Sequence, residues 1–410
     1  MDQHKLYNTI RLLSEQKFSS DEQLLGHVLE NIIRREEIPI KGGRIWKFDA
    51  VNGTYRLLRQ YGDIETIDRN FRLRVADNPI FLQLPRKGTL VATETNRYLR
   101  KKGIRLYSAT GVGEKLSWKG QPVFQYVFAI NADYLKDHMA FTLNIIGSAL
   151  TTALRNRKYE SKAKMLQADL DKAREIQRSI LPAHELRFYQ YDLYGVSIAD
   201  RIVGGDFFDY LQPPEDRDRL GVVIGDAANK GLSAAAQALY VSGALRMGIG
   251  FNTKISTLIG RVNQLVNRAF STEQFVSMVY AEILNSDNGL ILYVNAGHST
   301  PIILRAATDE ADRLRATGQI LGPFPGEKYK ADFTIMRKGD ILLLYTDGIT
   351  EASNERQELF GEQRLVELLR LHKSKSPKEI CLQILQEVQT YGRDAVYSDD
   401  RTLVAVKRSR

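Results

Sequence analysis

The sequence predicts an α+β protein in three parts. These are a compact α+β module over residues 1–150, a helical linker over 151–182, and a C-terminal domain over 183–410 built from two antiparallel sheets flanked by helices. Three observations carry this expectation. From Tyr189 onward short β-branched runs alternate with turns and helical patterns, and connectors such as LNSDNG read as hairpins. That favours antiparallel sheets over a doubly wound parallel one. From Arg155 to Ile180 there is no Gly or Pro, and apolar residues recur at helical spacing. Ahead of that stretch, RIWKFD and TYRLLRQYG flank the turn AVNG, a hairpin signal.

The 410 residues, 43% hydrophobic and 26% charged, suit an ordinary soluble globular protein with room for two or three domains. No apolar run approaches the ~20 residues that span a bilayer. The opening MDQHKLYNTI lacks a basic stretch followed by an apolar core, so no secretory signal is expected. A single cysteine, Cys381, excludes an internal disulfide framework and fits a reducing, cytoplasmic setting. Within ICLQILQEV it reads as a small core residue. The formal charge of +9 comes from 58 basic and 49 acidic residues whose signs interleave. The densest basic clusters, LRKKGIRL and LRNRKYESKAK, are short and lack repeated aromatic stacking partners, so a solvated surface is expected and no nucleic-acid site.

In chain order, an amphipathic helix is expected around Asp2 to Gln16 and a second over DEQLLGHVLENIIRREE. The hairpin follows, then a polar middle section, then a strand in QPVFQYVFAIN. A long helix begins near Ala132, capped by Asn131 or Asp133, and runs through HMAFTLNIIGSALTTAL. This order of helix, hairpin, variable middle, strand and exit helix resembles a GAF-type sensory domain. No ligand-binding motif stands out and no cysteine is placed to attach a chromophore; His138 and Trp46 read as packing or surface residues. In the linker, Tyr159, Ala163, Leu166, Leu170 and Ala173 follow the 4-3-4-3 spacing of a coiled-coil seam. Ile176 then breaks the period like a stammer, and Pro182 ends the run. A parallel homodimer is the expected assembly.

In the C-terminal domain strands are expected in YDLYGVSI, RLGVVIGDA, FVSMVYAEIL, LILYVNAG, PIILRA, DFTIMRKGD, DILLLYTDG and RTLVAVKR. Helices are expected in LSAAAQALYVSGALRMG, ISTLIGRVNQLVNRAF, GEQRLVELLRLH and SPKEICLQILQEVQTYG. Four strand-like runs end in or beside aspartate: Asp206, Asp226, Asp347 and the pair Asp399–Asp400. One such residue is a common turn former. Several carboxylates at one sheet edge repel one another and call for a cation. Oxygen-only donors suit Mg2+ or Mn2+, and the six histidines show no zinc spacing.

GGDFFDY, GDAANKGLSAA, NAGHSTP, LLLYTDGITEA and SDDRTLVAV together resemble, in order and spacing, the PPM-type metal-dependent serine/threonine phosphatases of the SpoIIE/RsbU-like branch. The resemblance covers roughly residues 170–410, since AREIQRSILP is similar to the helix that precedes this domain. It implies an αββα sandwich and two divalent cations, Mn2+ or Mg2+. Asp226 would bridge them and Ala227 would offer its backbone carbonyl. Asp347 and Asp399 would be further ligands, with Asp400 as the alternative to Asp399. Asp206 would act on the metals directly or through water, and Asp209 is a weaker candidate for an additional ion. Where larger relatives carry a histidine near the bridging aspartate, this chain has none. Lys230 reads as structural or surface, His298 as a loop organiser, Arg201 as a guess for a phosphate clamp, and Glu351 as a loop or helix-start residue. The implied function is hydrolysis of a phosphoserine or phosphothreonine protein by a metal-activated water, regulated by the N-terminal module. The implied substrate is a phosphorylated anti-sigma-factor antagonist of the STAS type. The alternative is a catalytically weak scaffold that binds a phosphorylated partner.

Overall fold

Alternation of apolar residues along the strands sets the layers in both halves of the chain. The structure is a computed structural model describing residues 18–35, 40–132, 137–251, 253–393 and 399–409. It divides into two units, Met1–Met165 and Leu166–Arg410. The helix expected over Asp2 to Gln16 lies outside the described residues.

The first unit contains α1 (Asp21–Arg35), β1 (Ile40–Asp49), β2 (Thr54–Gly62), β3 (Arg72–Arg74), α2 (Ile80–Lys87), β4 (Thr89–Thr93), α3 (Arg97–Lys101), β5 (Leu106–Trp118) and β6 (Gln121–Ala132). Their strands form one antiparallel sheet in the order β3-β2-β1-β6-β5-β4. Successive side chains on β1 point to opposite faces. Trp46 and Phe48 pack with Phe81 and Leu84, whereas Ile45 packs with Leu25, Leu29, Leu143 and Ile146. The polar middle section contributes β3, β4 and β5, which the hydrophobic pattern does not announce. In β5, LYSATGVGEKLSW, the buried positions are largely Ser, Thr, Ala and Gly, so close backbone packing replaces bulky side chains. Asn131 belongs to β6 and is not a helix cap; its side chain accepts a hydrogen bond from Arg44.

Helix α4 (Asp137–Ile180) is unbroken and stops before Pro182. Along its expected seam Tyr159, Leu166 and Ile176 are exposed, as is Ala163, while Leu170 and Ala173 are partly so.

The second unit continues with β7 (Glu185–Phe188), β8 (Tyr191–Ile198), β9 (Phe207–Leu211), β10 (Arg219–Ala227), α5 (Leu232–Gly248), α6 (Ile255–Ala269), β11 (Val276–Leu284), β12 (Leu290–Ala296), β13 (Ile302–Leu304), β14 (Ala311–Arg313), β15 (Asp332–Ile335), β16 (Ile341–Tyr345), α7 (Asp347–Thr350), α8 (Gly361–Leu371), α9 (Pro377–Tyr391) and β17 (Arg401–Arg408). Two antiparallel sheets form, β15-β12-β11-β10-β9 and β14-β13-β16-β17-β8-β7. Val222, Ile224, Leu342, Leu344, Val404 and Val406 fill the space between them. The neighbouring positions face outward: Val223 packs under α5 and α6, and Leu343, Leu403 and Ala405 pack under α8 and α9. Each central strand is therefore apolar on both faces, which is why ILLL reads as a continuous run. Cys381 is fully buried in this outer core, and burial pushes its thiol up to about 12.

Candidate active site

Antiparallel register brings the aspartate motifs to one end of the sandwich. Gly225 on β10 pairs with Phe207 on β9, which sets Asp226 beside Asp206. In the facing sheet Tyr345 pairs with Leu403, which sets Asp347 beside the Asp399–Asp400 turn. Hydrogen bonds then join the two edges. The Thr346 hydroxyl donates to Asp206 Oδ2 at 2.7 Å, and the Thr402 N–H donates to that hydroxyl at 3.0 Å. Asp400 accepts from the N–H groups of Gly205 at 2.6 Å, Asp206 at 3.4 Å and Asp200 at 2.8 Å. Two glycines are required by this crowding. A Cβ on Gly204 would lie 2.4 Å from an Asp400 carboxylate oxygen, and one on Gly348 would lie 2.0 Å from the Asp400 carbonyl.

Asp206 is 4% exposed. Burial, then the Asp226 and Asp400 charges, holds its carboxyl well above the ordinary range, while Thr346 and Thr402 pull it down. Burial and the charges of Asp347, Asp399 and Asp400 push Asp226 up to about 7. Asp347 is raised by burial and by Asp399, and Lys230 opposes that shift. Lys230 Nζ stands 3.1 Å from Asp399 Oδ2, so the lysine read as structural or surface reaches the acidic cluster. Glu351 follows the short α7 and closes that helix, so of the loop and helix-start readings the loop holds; burial and the Asp347 and Asp399 charges raise its carboxyl.

Other candidates fall away from the cluster. Asp209 is engaged by Arg246, whose Nε donates to Oδ2 at 2.6 Å and Nη2 to Oδ1 at 3.2 Å, with the Ser242 hydroxyl at 3.3 Å. An arginine in that position opposes the reading of Asp209 as a ligand for an additional ion. His298 is buried, with Nδ1 2.7 Å from Ser277 Oγ and its N–H donating to Asn295 Oδ1 at 2.9 Å. Burial pushes it down to about 4, so it is neutral at pH 7 and holds no proton to give. Arg201 is exposed on the loop leading to Asp206.

No three of these side chains converge on a single ion position among the described residues. The donor chemistry nevertheless fits hard cations. Buried carboxylates that raise one another's pKa are stabilised by a divalent ion, and oxygen donors select Mg2+ or Mn2+. Ala227, at the end of β10, lies with its carbonyl beside Gly205.

Four contributing residues escape the motif reading. Thr346 and Thr402 sit inside the TDG and DDRT motifs, and their threonines were the available signal. Gln177 lies in AREIQRSILP, which signals a preceding helix and not a contact to the site, and Arg246 carries none. Gln177 on α4 donates to the Gly204 carbonyl at 2.7 Å and accepts the Gly204 N–H at 3.3 Å. Arg246 reaches the Ile180 carbonyl at 2.6 Å.

This sandwich with acidic strand ends coincides with a family match: the SpoIIE family model (Stage II sporulation protein E) matches residues 216–409. Among curated relatives, the chain is 29% identical over 276 residues to Protein IcfG of Synechocystis sp., covering 61% of this chain and 43% of that one. It is 24% identical over 243 residues to Phosphoserine phosphatase RsbU of Bacillus subtilis, covering 59% and 71%. The match thus takes in less than half the length of IcfG. The SiaA-PP2C domain of Pseudomonas aeruginosa shares the fold at a TM-score of 0.52 and 20% identity, over 60% of this chain and 98% of that domain. Among the described residues no helix is long and apolar enough to cross a membrane.

Proposed function

We propose that the chain is a cytoplasmic, metal-dependent phosphoserine/phosphothreonine protein phosphatase of partner-switching signalling. In this reading residues 1–150 are a GAF-like sensor, 151–182 a dimerising helical linker and 183–410 the phosphatase. The observation that carries it is the group of mutually repelling carboxylates at one sandwich end, buried at Asp206 and half-buried at Asp226, Asp347 and Asp399. Asp226, Asp347 and Asp399 would hold two Mn2+ or Mg2+ ions, with Ala227 offering its carbonyl and Asp206 acting directly or through water. Such ions lower the pKa of a bound water and neutralise phosphoryl oxygens. The chain's own residues orient the donors: Thr346 fixes Asp206, Lys230 steadies Asp399, and Asp400 clamps the Gly205 and Asp206 peptides. No thiolate competes as nucleophile at Cys381, because its thiol is buried and neutral at pH 7.

The likeness to a phosphoserine phosphatase supports a phosphoprotein substrate, and the family resemblance narrows it to a STAS-type anti-sigma-factor antagonist. The deciding assay is Mn2+-dependent hydrolysis of a chromogenic phosphate ester by the wild type and by Asp347→Asn. The expected result is turnover in the wild type and a loss of about a hundredfold or more in the variant, the scale for removing a group that stabilises transition-state charge. Equal, negligible rates in both would leave the scaffold reading. Phosphate release from a phosphorylated STAS protein tests the substrate class.

A further inference from the structure

The first unit contains a cavity of about 340 Å³, within the usual size range of small-molecule sites. Its floor is one face of the sheet, where alternation turns Arg44 and Trp46 of β1, Ala129 and Asn131 of β6, and Ala109 of β5 the same way. Phe81 and Leu84 of α2 with Leu99 and Ile104 form the apolar part of the wall, beside the polar Asn78, Gln83 and Lys87. Arg44 lines this space and is 1% exposed. One of its terminal nitrogens donates to Asn131 Oδ1 at 3.0 Å and the other to the Glu65 carbonyl at 2.9 Å. Its Nε has no hydrogen-bond partner, and Arg44 forms no ion pair, among the described residues. A buried guanidinium held only by neutral acceptors is costly unless something supplies a counter-charge. Burial pushes Arg44 down to about 10, with the Glu94 charge pulling it back.

We infer that this cavity is a binding site for a small organic carboxylate with an apolar body, anchored by the buried guanidinium of Arg44. A planar carboxylate matches the fork geometry of a guanidinium, and the apolar part of the wall matches an aromatic or branched body. Glu94 also lines the cavity, with Oε1 taken by the Asn96 N–H at 2.8 Å. With Arg44 and Lys87 positive and Glu94 negative, the lining carries a single net positive charge, which matches a monoanion over a phosphate dianion. The site lies wholly within the first unit, so it stands or falls independently of the phosphatase reading.

Isothermal titration of the full chain with 3-phenylpropionate, its neutral amide and phenyl phosphate tests the assignment. The carboxylate should bind, and the amide should bind more weakly by about tenfold or more, the worth of one charge-assisted hydrogen bond. Arg44→Met should abolish the preference. Ala109→Leu, which fills the cavity and leaves the charge in place, should weaken both ligands. The wild-type comparison stands even if Arg44→Met does not fold. No heat with any probe at millimolar concentration, equal affinity for acid and amide, or tighter binding of phenyl phosphate would each overturn the assignment.

Discussion

Asp206 depends on Thr346 more than on any other side chain outside the acidic cluster. The threonine hydroxyl is a relay, donating to the carboxylate and accepting the Thr402 N–H, and Thr346 is 0% exposed. Thr346→Val keeps the shape and strands both groups, which costs about 1–3 kcal/mol. The expected outcome is a lower melting temperature and reduced Mn2+-dependent turnover, with Thr346→Ser restoring most of both. His298 gives a second test. The native state accepts only its neutral form, so as pH falls the unfolded chain takes up the proton first. Its folded pKa of about 4 lies below the ordinary 6.5. The neutral-His advantage is complete above pH 6.5 and is lost progressively down to pH 4, a difference of about 3 kcal/mol. Urea unfolding across that window should show a fall in stability that His298→Gln lacks; parallel curves for the two proteins would refute it.

At the scale of elements, the C-terminal end of α4 is where the long helix meets the sandwich. In the proposed seam the spacing breaks at Ile176, and the next residue, Gln177, bonds both the N–H and the carbonyl of Gly204. A strict heptad keeps one face of a helix turned to its partner. The change of phase at Ile176 coincides with this contact, two residues upstream of Asp206. Gln177→Ala should therefore lower kcat by roughly tenfold, equivalent to two modest hydrogen bonds, with the circular dichroism spectrum unchanged. An unaltered kcat would detach the linker from the site. Strands with continuous apolar runs, and helices such as α5 and α9, were legible because pattern and burial coincide there. Strand β5 was not, since its small and polar residues are buried through backbone proximity. Asp226 and Asp347 were legible from their motifs. The contacts of Gln177, inside AREIQRSILP, and of Arg246 were not, because they depend on tertiary neighbours far away in sequence.

At the scale of the whole molecule, the exposed Tyr159, Leu166 and Ile176 of α4 bear on assembly. A solvated apolar row on a long helix favours a parallel partner helix. Light scattering should show a dimer for the wild type, and Leu166→Glu together with Leu170→Glu should give a monomer. A monomeric wild type would remove the dimer from the proposal. The clamp at Asp400 has a different consequence. Its carboxylate takes the N–H of Asp200, a separation of 200 residues, and leads into β17, an interior strand bonded on one side to β16 and on the other to β8. Such long-range closure is late in folding, because the intervening chain must be ordered before the contact is rewarded. Competence is therefore acquired in one final act: a sandwich with its last strand undocked retains most of its helices and has no organised acidic centre. The arrangement withholds activity from every partly folded form of the chain.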